Sequence, residues 1–359
     1  MKKDDRFKKI IFQRLAKKSF RRKLRSKVKQ KNRNKQLLRL NKQHRKERNN
    51  KRLDNKRFID FKQIKAPVIF SLTKNTEETL NFINQIKDCF ERRKKVFVDL
   101  KKVETISHGA IVVLLSILVK FRTNNIEFNG NFPASNQARN NLKKSGFFKN
   151  LGNKLFEKQD EYSFENEIRT HAEKKVNSEL SDAIIKRASA HIWDEERRCI
   201  GLQRVFLELM QNTNNHASFE KLGEQLWWLS IYYSDDKSKV CFAFIDYGVG
   251  IFESIVNKRE HEKFFGIIPK IKEKFGFNTN AELLKLLLFG EVHNIANYYR
   301  GKGLPGIYKA CQENRISNLV IISNNAIADY ANNKFENLNN NLKGTFVYWE
   351  LNASNVNIK

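Results

Sequence analysis

The spacing of hydrophobic residues divides the 359-residue chain into three zones. Residues 1–60 are dense in Lys, Arg, Asn and Gln, and apolar side chains recur at helical spacing only around Ile10 and Leu15. Such a segment buries too little surface to fold alone. Residues 61–151 and 178–359 instead carry the periodicities of strands and helices, which predicts folded protein in both zones.

The second zone alternates predicted strands with predicted helices. The strands are expected at 66–72, 94–100 and 126–130, and the helices at 76–93, 109–121 and 136–151. A turn at Ser107, His108 and Gly109 opens the middle helix, whose sequence is strongly apolar. This order of elements predicts a small domain of the α/β class.

The third zone begins with a helix over 196–217 that carries one apolar stripe. Glu208 and Asn212 are four residues apart, so both project from the same side of this helix. Alternating apolar positions then predict an antiparallel hairpin. Its second strand ends at Asp246, directly before a segment with two glycines.

Charge adds a basic arm to this picture. Of the formal net charge of +30, residues 1–60 supply +21, from 26 Lys or Arg against 5 Asp or Glu. Each Lys or Arg that neutralises a phosphate releases a counterion, so residues 1–57 are predicted to bind nucleic acid through its backbone, with strong weakening by salt. A solvated tail that only aids solubility and a basic helix on anionic lipid are the alternatives.

The remaining composition narrows the class of protein. The best apolar run, 110–119, is about half as long as a membrane span, and the N-terminal residues lack the apolar core of a secretion signal. The four cysteines are widely spaced and form no CxxC pair, which predicts a reduced, cytoplasmic protein. The sequence contains no GxxxxGK[ST] segment, so a P-loop ATPase is excluded.

Residues 61–155 contain the segment VFVDLKKVETIS before the apolar helix and LKKSGFFKNL at the end. In these segments and in the order of its elements, this zone resembles a STAS domain, named for sulfate transporters and anti-sigma-factor antagonists. Switching antagonists are phosphorylated on a serine directly before the glycine of the turn. Here that position is His108, with Ser107 one step earlier. We therefore expect an interaction domain that binds a protein partner without phosphorylation; a serine switch through Ser107 is the alternative.

Four motifs of the third zone, taken in order, resemble the GHKL superfamily of ATP-binding domains, shared by DNA gyrase B subunits, histidine kinases, ninety-kilodalton chaperones and mismatch-repair proteins. The matching positions are Glu208 and Asn212 (ExxxN); Asp246, Gly248, Gly250 and Ile251 (DxGxGI); Gly301, Gly303, Leu304 and Gly306 (GxGLG with Pro305 inserted); and Gly344 with Thr345. The resemblance implies a Bergerat fold, a two-layer α/β sandwich, over residues 197–355, preceded by connector helices in 156–196. It also implies ATP and Mg²⁺ as ligands.

The chemistry of these residues agrees with that resemblance. A carboxylate at a strand end, Asp246, can accept the exocyclic amine proton of adenine, whereas guanine presents an oxygen at that place. Gly301 and Gly303 expose backbone amides to phosphate oxygens. One amide oxygen of Asn212 suits Mg²⁺, which keeps several waters. Glu208, one turn away, is placed to orient or deprotonate an attacking water.

Further residues are predicted to complete the same site. Besides the motif glycines, the expected ATP contacts come from Asn215, Arg300, Lys302 and Thr345. Arg300 and Lys302 either reach the phosphates or lie on the lid surface without contacting the nucleotide. Thr345 is expected to hydrogen-bond through its hydroxyl to the lid or to Asp246. The resemblance implies that the interval 252–300 holds the lid.

Three functions are compatible with this combination. The first is an ATP hydrolase or ATP-gated switch with a regulatory or genome-defence role, in which nucleotide closes the lid and alters a partner contact or a homodimer. The second is a serine protein kinase of the anti-sigma-factor type with its antagonist-like domain fused in the same chain, and His108 argues against it. The third is a nucleotide sensor without turnover, and Glu208 argues against that one.

Overall fold

The structure is a computed structural model, and it describes residues 30, 58–152, 167–171, 176–216, 227–256, 267–292 and 303–355. The chain divides into two compact units, residues 1–60 and residues 61–359. Almost all of the first unit lies outside the described residues, so the predicted basic arm is a matter for experiment. The second unit combines helices with parallel and antiparallel sheets, which confirms the α/β class.

The N-terminal half of the second unit is built on short parallel strands. The three-stranded sheet has the order β1-β3-β5, and a separate pair joins β2 to β4. The strands are β1 (Lys62–Lys65), β2 (Ile69–Phe70), β3 (Val96–Asp99), β4 (Thr105–Ile106) and β5 (Phe128–Gly130), and the helices are α1 (Thr76–Glu91), α2 (His108–Thr123), α3 (Asn136–Lys144) and α4 (Phe147–Leu151). Each predicted strand and helix is present, but the helix predicted over 136–151 is divided into α3 and α4 at Gly146, and the strand predicted over 66–72 is reduced to β2. Strands β1 and β4 were not predicted.

Helix α2 explains why its sequence is apolar on every side. The Ser107 side chain caps it by accepting a hydrogen bond from the Ala110 backbone N–H at 3.2 Å. From Gly109 to Leu118 every residue is buried. A helix that is apolar all round is a buried helix, and α2 packs between its own half and the sheet that follows in the chain.

The C-terminal half contains a five-stranded antiparallel sheet with the order β6-β7-β8-β10-β9. The strands are β6 (Glu167–His171), β7 (Trp227–Tyr233), β8 (Lys239–Asp246), β9 (Ser317–Asp329) and β10 (Lys334–Asn352). The helices are α5 (Ser178–Trp193), α6 (Ile200–His216), α7 (Ile251–Val256), α8 (Ile267–Phe275), α9 (Asn280–Phe289) and α10 (Gly303–Gln312). The β7–β8 hairpin is confirmed, and Trp227 pairs with Asp246 across it.

The segment 156–196 differs from the predicted connector helices. Residues 167–171 form the edge strand β6, which pairs antiparallel with β7, and only α5 is helical among its described residues. The five residues EIRTH carry a single buried apolar side chain, Ile168, so their pattern was too weak to predict a strand. This segment is therefore part of the sheet.

Both faces of the five-stranded sheet are buried. On one face, Phe242 and Trp349 pack against Phe206 of α6, with ring centroids 5.4 Å from Phe206 in both cases. On the other face, Ala243 and Phe346 belong to the same hydrophobic cluster as α2 and the parallel strands. The two predicted domains, 61–155 and 197–355, therefore share one core; their boundaries remain a prediction.

A glycine sets how closely α2 approaches the sheet. A Cβ atom added to Gly109 would lie 2.8 Å from Cζ of Phe346 and 3.3 Å from the Cβ of Ala243. A side chain at this position would push the helix away from the sheet. Within the described ranges, no helix combines the length and apolarity that a membrane crossing requires.

Candidate nucleotide-binding site

Helix α6 places three polar side chains on one stripe. Its buried residues, which include Val205, Phe206 and Leu209, face the sheet. Arg204, Glu208 and Asn212 follow one another at intervals of four residues and so lie one above the other on the helix surface. The side chain of Glu208 is 23 % exposed, which keeps the carboxylate at the protein surface but partly shielded. Asn215 belongs to α6, but its side chain is outside the described part of the chain.

The start of α10 lies directly against this stripe. A Cβ atom added to Gly303 would be 2.8 Å from Oε2 of Glu208 and 3.1 Å from Nδ2 of Asn212. A side chain at this position would displace the ends of the Glu208 and Asn212 side chains. The structure thus brings the ExxxN motif and the second glycine motif together, and the positive end of the α10 dipole begins at the two side chains.

The other members of the second glycine motif are placed only in part. Leu304 is half-buried and packs against the core cluster of α6, and Gly306 is buried. Arg300, Gly301 and Lys302 lie outside the described residues, as do the predicted lid residues 293–299.

Asp246 ends β8 on the same side of the sheet as α6. Side chains alternate along a strand, so Asp246 shares the face of Phe242 and Phe244, which pack in the α6 cluster. Its Oδ1 accepts a hydrogen bond from the Gly248 backbone N–H at 2.9 Å, and Thr345 is its cross-strand partner on β10. Hydrogen bonds from the side chain and the backbone of Thr345 lower the pKa of the Asp246 carboxyl, in line with the predicted link between these two residues.

A bulge in β10 lies directly beside Asp246. The pairing with β9 shifts between Leu342 and Thr345, and Gly344 has a φ of 116°, which favours glycine. A Cβ atom at Gly344 would overlap the carbonyl oxygen of Asp246. The third glycine motif is therefore required for the close approach of two strands at the site.

Two polar residues of β9 hold the first glycine loop, and the sequence reasoning missed both. The Ser323 hydroxyl accepts from the Ile251 backbone N–H at 2.9 Å, and the Asn324 side chain donates to the Val249 carbonyl at 3.1 Å. Gly250 has a φ of 83°, and a Cβ atom there would overlap the Asn324 amide. The available signal was the polar pair itself, which interrupts the otherwise apolar strand LVIISNNAIA.

Burial raises the pKa of Asp246 to about 6, and the hydrogen bonds from Gly248 and Thr345 oppose that shift. The carboxylate is therefore ionised at neutral pH and becomes protonated in mild acid. An ionised Asp246 is an acceptor only, which matches an amine donor on a ligand.

Tyr247, the next residue, points to the opposite face of the sheet. Its hydroxyl hydrogen-bonds with Ser116 of α2 and donates to the Val113 carbonyl at 3.4 Å. The Nζ atoms of Lys87 and Lys120 lie 4.9 and 4.8 Å from the centroid of its ring. Burial, together with the charges of Lys120 and the nearby Lys343, lowers the pKa of Lys87 to about 8.

The turn that begins α2 is covered by the second half of the chain. The ring of His108 stacks on Tyr232 of β7 with centroids 4.0 Å apart. Burial lowers the pKa of His108 to about 4, so the ring is neutral at physiological pH. Ser107 is engaged in capping α2. The face that would carry a phosphoserine in a switching antagonist is thus packed against the chain's own sheet.

Comparison with known proteins adds no family assignment: no family model, curated protein or solved structure matches this chain. Among the described residues, no group of three or more His, Cys, Asp or Glu side chains is placed to hold a metal ion. The resemblances to the GHKL and STAS families therefore remain predictions, and any function assigned to the chain rests on the geometry of the site.

The raised pKa of Asp246 predicts a gain of stability when its charge is removed. Because its pKa is about 6 in the folded chain against the ordinary 3.8, the folded state binds the proton more tightly between these values. Stability is therefore lost as pH rises through that window. Asp246→Asn should raise the free energy of unfolding by about 1–2 kcal/mol at pH 7.5.

Urea denaturation at several pH values measures this effect. The advantage of Asp246→Asn over wild type should shrink below pH 6 and vanish near pH 4. The exposed Asp235→Asn on the β7–β8 turn serves as the matched control. Equal stability of Asp246→Asn and wild type at pH 7.5 would contradict the burial argument.

Proposed function

We propose that the protein binds ATP with Mg²⁺ and acts as an ATP hydrolase or ATP-gated switch in a regulatory or defence role. The observation that carries this proposal is the contact of Gly303 with Glu208 and Asn212. The sequence analysis assigned Gly303 to phosphate, Glu208 to the attacking water and Asn212 to Mg²⁺. In the structure these three residues lie together at the start of α10. Glycine at position 303 lets the first turn of α10 lie against both side chains, so that backbone amides, carboxylate and amide oxygen can act on one ligand.

Each side chain has a distinct part in this proposal. Amides at the start of α10 receive phosphate oxygens, and the helix dipole favours their negative charge. The Asn212 side-chain oxygen is a hard ligand of the kind that Mg²⁺ takes, and the metal, when bound, offsets the charge of the phosphates. Glu208 accepts a proton from the attacking water. Asp246 accepts from the amine of adenine, whereas guanine presents an oxygen there and gives the carboxylate no donor from the base.

The switch part of the proposal is supported by two neighbouring side chains at the end of β8, which point to opposite faces of the sheet. Asp246 faces the nucleotide side and Tyr247 faces α2, where it bonds Ser116 and Val113. A nucleotide that reorganises the Asp246–Gly250 loop therefore acts on α2 through one peptide unit. The protein partner predicted for the STAS-like half would respond to that change, and so would a second copy of the chain in a homodimer.

The kinase alternative is disfavoured by the burial of its expected acceptor site. His108 stands in the acceptor position and is stacked on Tyr232, and Ser107 caps α2. The fate of labelled phosphate separates the hydrolase from the kinase and from the non-hydrolysing sensor. The cytoplasmic location stays a prediction from the cysteine spacing.

Incubation with γ-labelled ATP and Mg²⁺ should release free phosphate from wild type. Asn212→Ala should weaken ATP binding about 10- to 100-fold, the loss expected when one interaction with a charged group is removed. Calorimetry measures this loss, with Gln211→Ala, exposed on the same helix, as the matched control. Label that stays on the protein would favour the kinase, and intact bound ATP would favour the sensor. Equal affinity for GTP would contradict the role of Asp246.

Deletion of residues 1–57 should remove nucleic-acid binding and leave ATP affinity unchanged. The arm holds 26 of the 69 Lys and Arg residues and no dense set of carboxylates. Affinity of the full chain should fall about 100-fold or more when salt rises from 50 to 200 mM, because phosphate contacts release counterions. Fluorescence anisotropy with DNA and RNA oligonucleotides measures both effects. Undiminished binding by the truncated chain would refute the assignment to the arm.

Tyr247→Phe should uncouple the nucleotide loop from α2. The change removes the hydroxyl that bonds Ser116 and Val113, while Ser116 keeps its own bond to the Val113 carbonyl at 2.7 Å. We expect ATP affinity within about 3-fold of wild type, since one neutral hydrogen bond contributes about 0.5–1.5 kcal/mol. ATP-induced protection of α2 amides in hydrogen exchange should be lost. Tyr330→Phe is the control, and retained protection in Tyr247→Phe would contradict this route.

A further inference from the structure

A third side chain of α6, Arg204, meets α10 beside Glu208 and Asn212 but belongs to none of the matched motifs. It lies one turn before Glu208 on α6, with Nε 3.9 Å from Oε1 of Glu208. Its side chain is 47 % exposed, so the guanidinium is at the rim of the site rather than in the core. Opposite charges four residues apart are common on helix surfaces, where they contribute little.

The fit of Arg204 against α10 distinguishes this pair from an ordinary surface ion pair. A Cβ atom added to Gly306 would lie 2.7 Å from both Nε and Nη2 of Arg204 and 2.9 Å from Cζ. Gly303 and Gly306 are three residues apart and therefore lie on one face of α10. Two bare positions of α10 thus receive three polar side chains of α6: Gly303 receives Glu208 and Asn212, and Gly306 receives Arg204. Gly306 makes room for the guanidinium as Gly303 makes room for the carboxylate.

Other ion pairs of the same spacing lack this setting. Lys186 with Asp182 and Lys309 with Glu313 are also four residues apart, and in both pairs each side chain is at least 37 % exposed. Such exposed helix pairs contribute about 0.3–0.5 kcal/mol and position nothing. Glu208 is 23 % exposed and has the guanidinium on one side and the start of α10 on the other. Its carboxylate therefore lies between Arg204 and the first turn of α10.

We propose that Arg204 is a positioning residue that orients the Glu208 carboxylate toward the phosphate end of the site. This inference rests on the proposed ATP site. In hydrolysis, a water oxygen bonds to the γ-phosphorus while the bond from that phosphorus to the β–γ bridging oxygen breaks. Glu208 takes one proton of the water, and ADP leaves with the electron pair of the broken bond. Arg204 holds the accepting carboxylate in the geometry that this transfer needs.

The test compares Arg204→Ala, Arg204→Lys and the control Lys309→Gln in full-length protein. Arg204→Ala should lower kcat about 10- to 100-fold, the loss typical of a misplaced reacting group, with ATP affinity within about 3-fold of wild type. Arg204→Lys should recover part of kcat, and Lys309→Gln should leave it unchanged. A thermal melt of each variant excludes loss of folding as the cause.

The same substitution made in the Glu208→Gln variant distinguishes positioning of the carboxylate from a general structural effect. In Glu208→Gln, the added Arg204→Ala change should cause no further loss of the residual rate, because the carboxylate that Arg204 orients is already absent. An unchanged kcat in Arg204→Ala would overturn the inference, and so would a full further loss in the Glu208→Gln background. Wild-type protein that binds Mg-ATP without turnover would also overturn it while leaving the binding site standing. Wild-type protein that binds no Mg-ATP would refute the proposed function itself.

Discussion

The burial of both faces of one antiparallel sheet is the constraint on which the rest of the structure depends. Successive side chains of a strand point to opposite faces, so the buried apolar residues of β8 and β10 are divided between two hydrophobic clusters. Phe242 and Phe244 contact the helices of the C-terminal half, whereas Ala243 and Ile245 contact α2 and the parallel strands. Neither half of residues 61–359 can bury its apolar surface without the other. The candidate site lies on the α6 face of this sheet, opposite the face that the two halves share.

Close packing of backbone against polar side chains forms the site on this scaffold. Gly303, Gly306, Gly250 and Gly344 each stand where a Cβ atom would meet another group at less than 3 Å. Glycine at these four positions lets the backbone approach those groups more closely than a residue with a side chain would allow. The polar network of Ser323, Thr345 and Asp246 then fixes the loop that follows β8.

Much of this architecture could be predicted from local patterns. The strand-end carboxylate, the stripe of Glu208 and Asn212, and the apolar α2 all follow from periods of two and 3.6 residues. What the sequence did not reveal depends on contacts between distant segments. The contacts of Arg204 with Gly306 and of Asn324 with Val249 join residues 102 and 75 positions apart, and β6 is too short and too polar for its pattern to identify. Periodicity carries no information on which helix face meets which glycine.

The position of Tyr247 directly after Asp246 has a consequence for how this chain tolerates changes of length. One residue inserted into β8 before Asp246 would move each following side chain to the opposite face of the sheet. The acid would then meet Ser116 and the lysines of the N-terminal half, and the phenol would occupy the place of the acid. A substitution in β8 alters the contacts of one side chain. A single added codon would instead exchange the side chains that β8 presents to the two faces of the sheet.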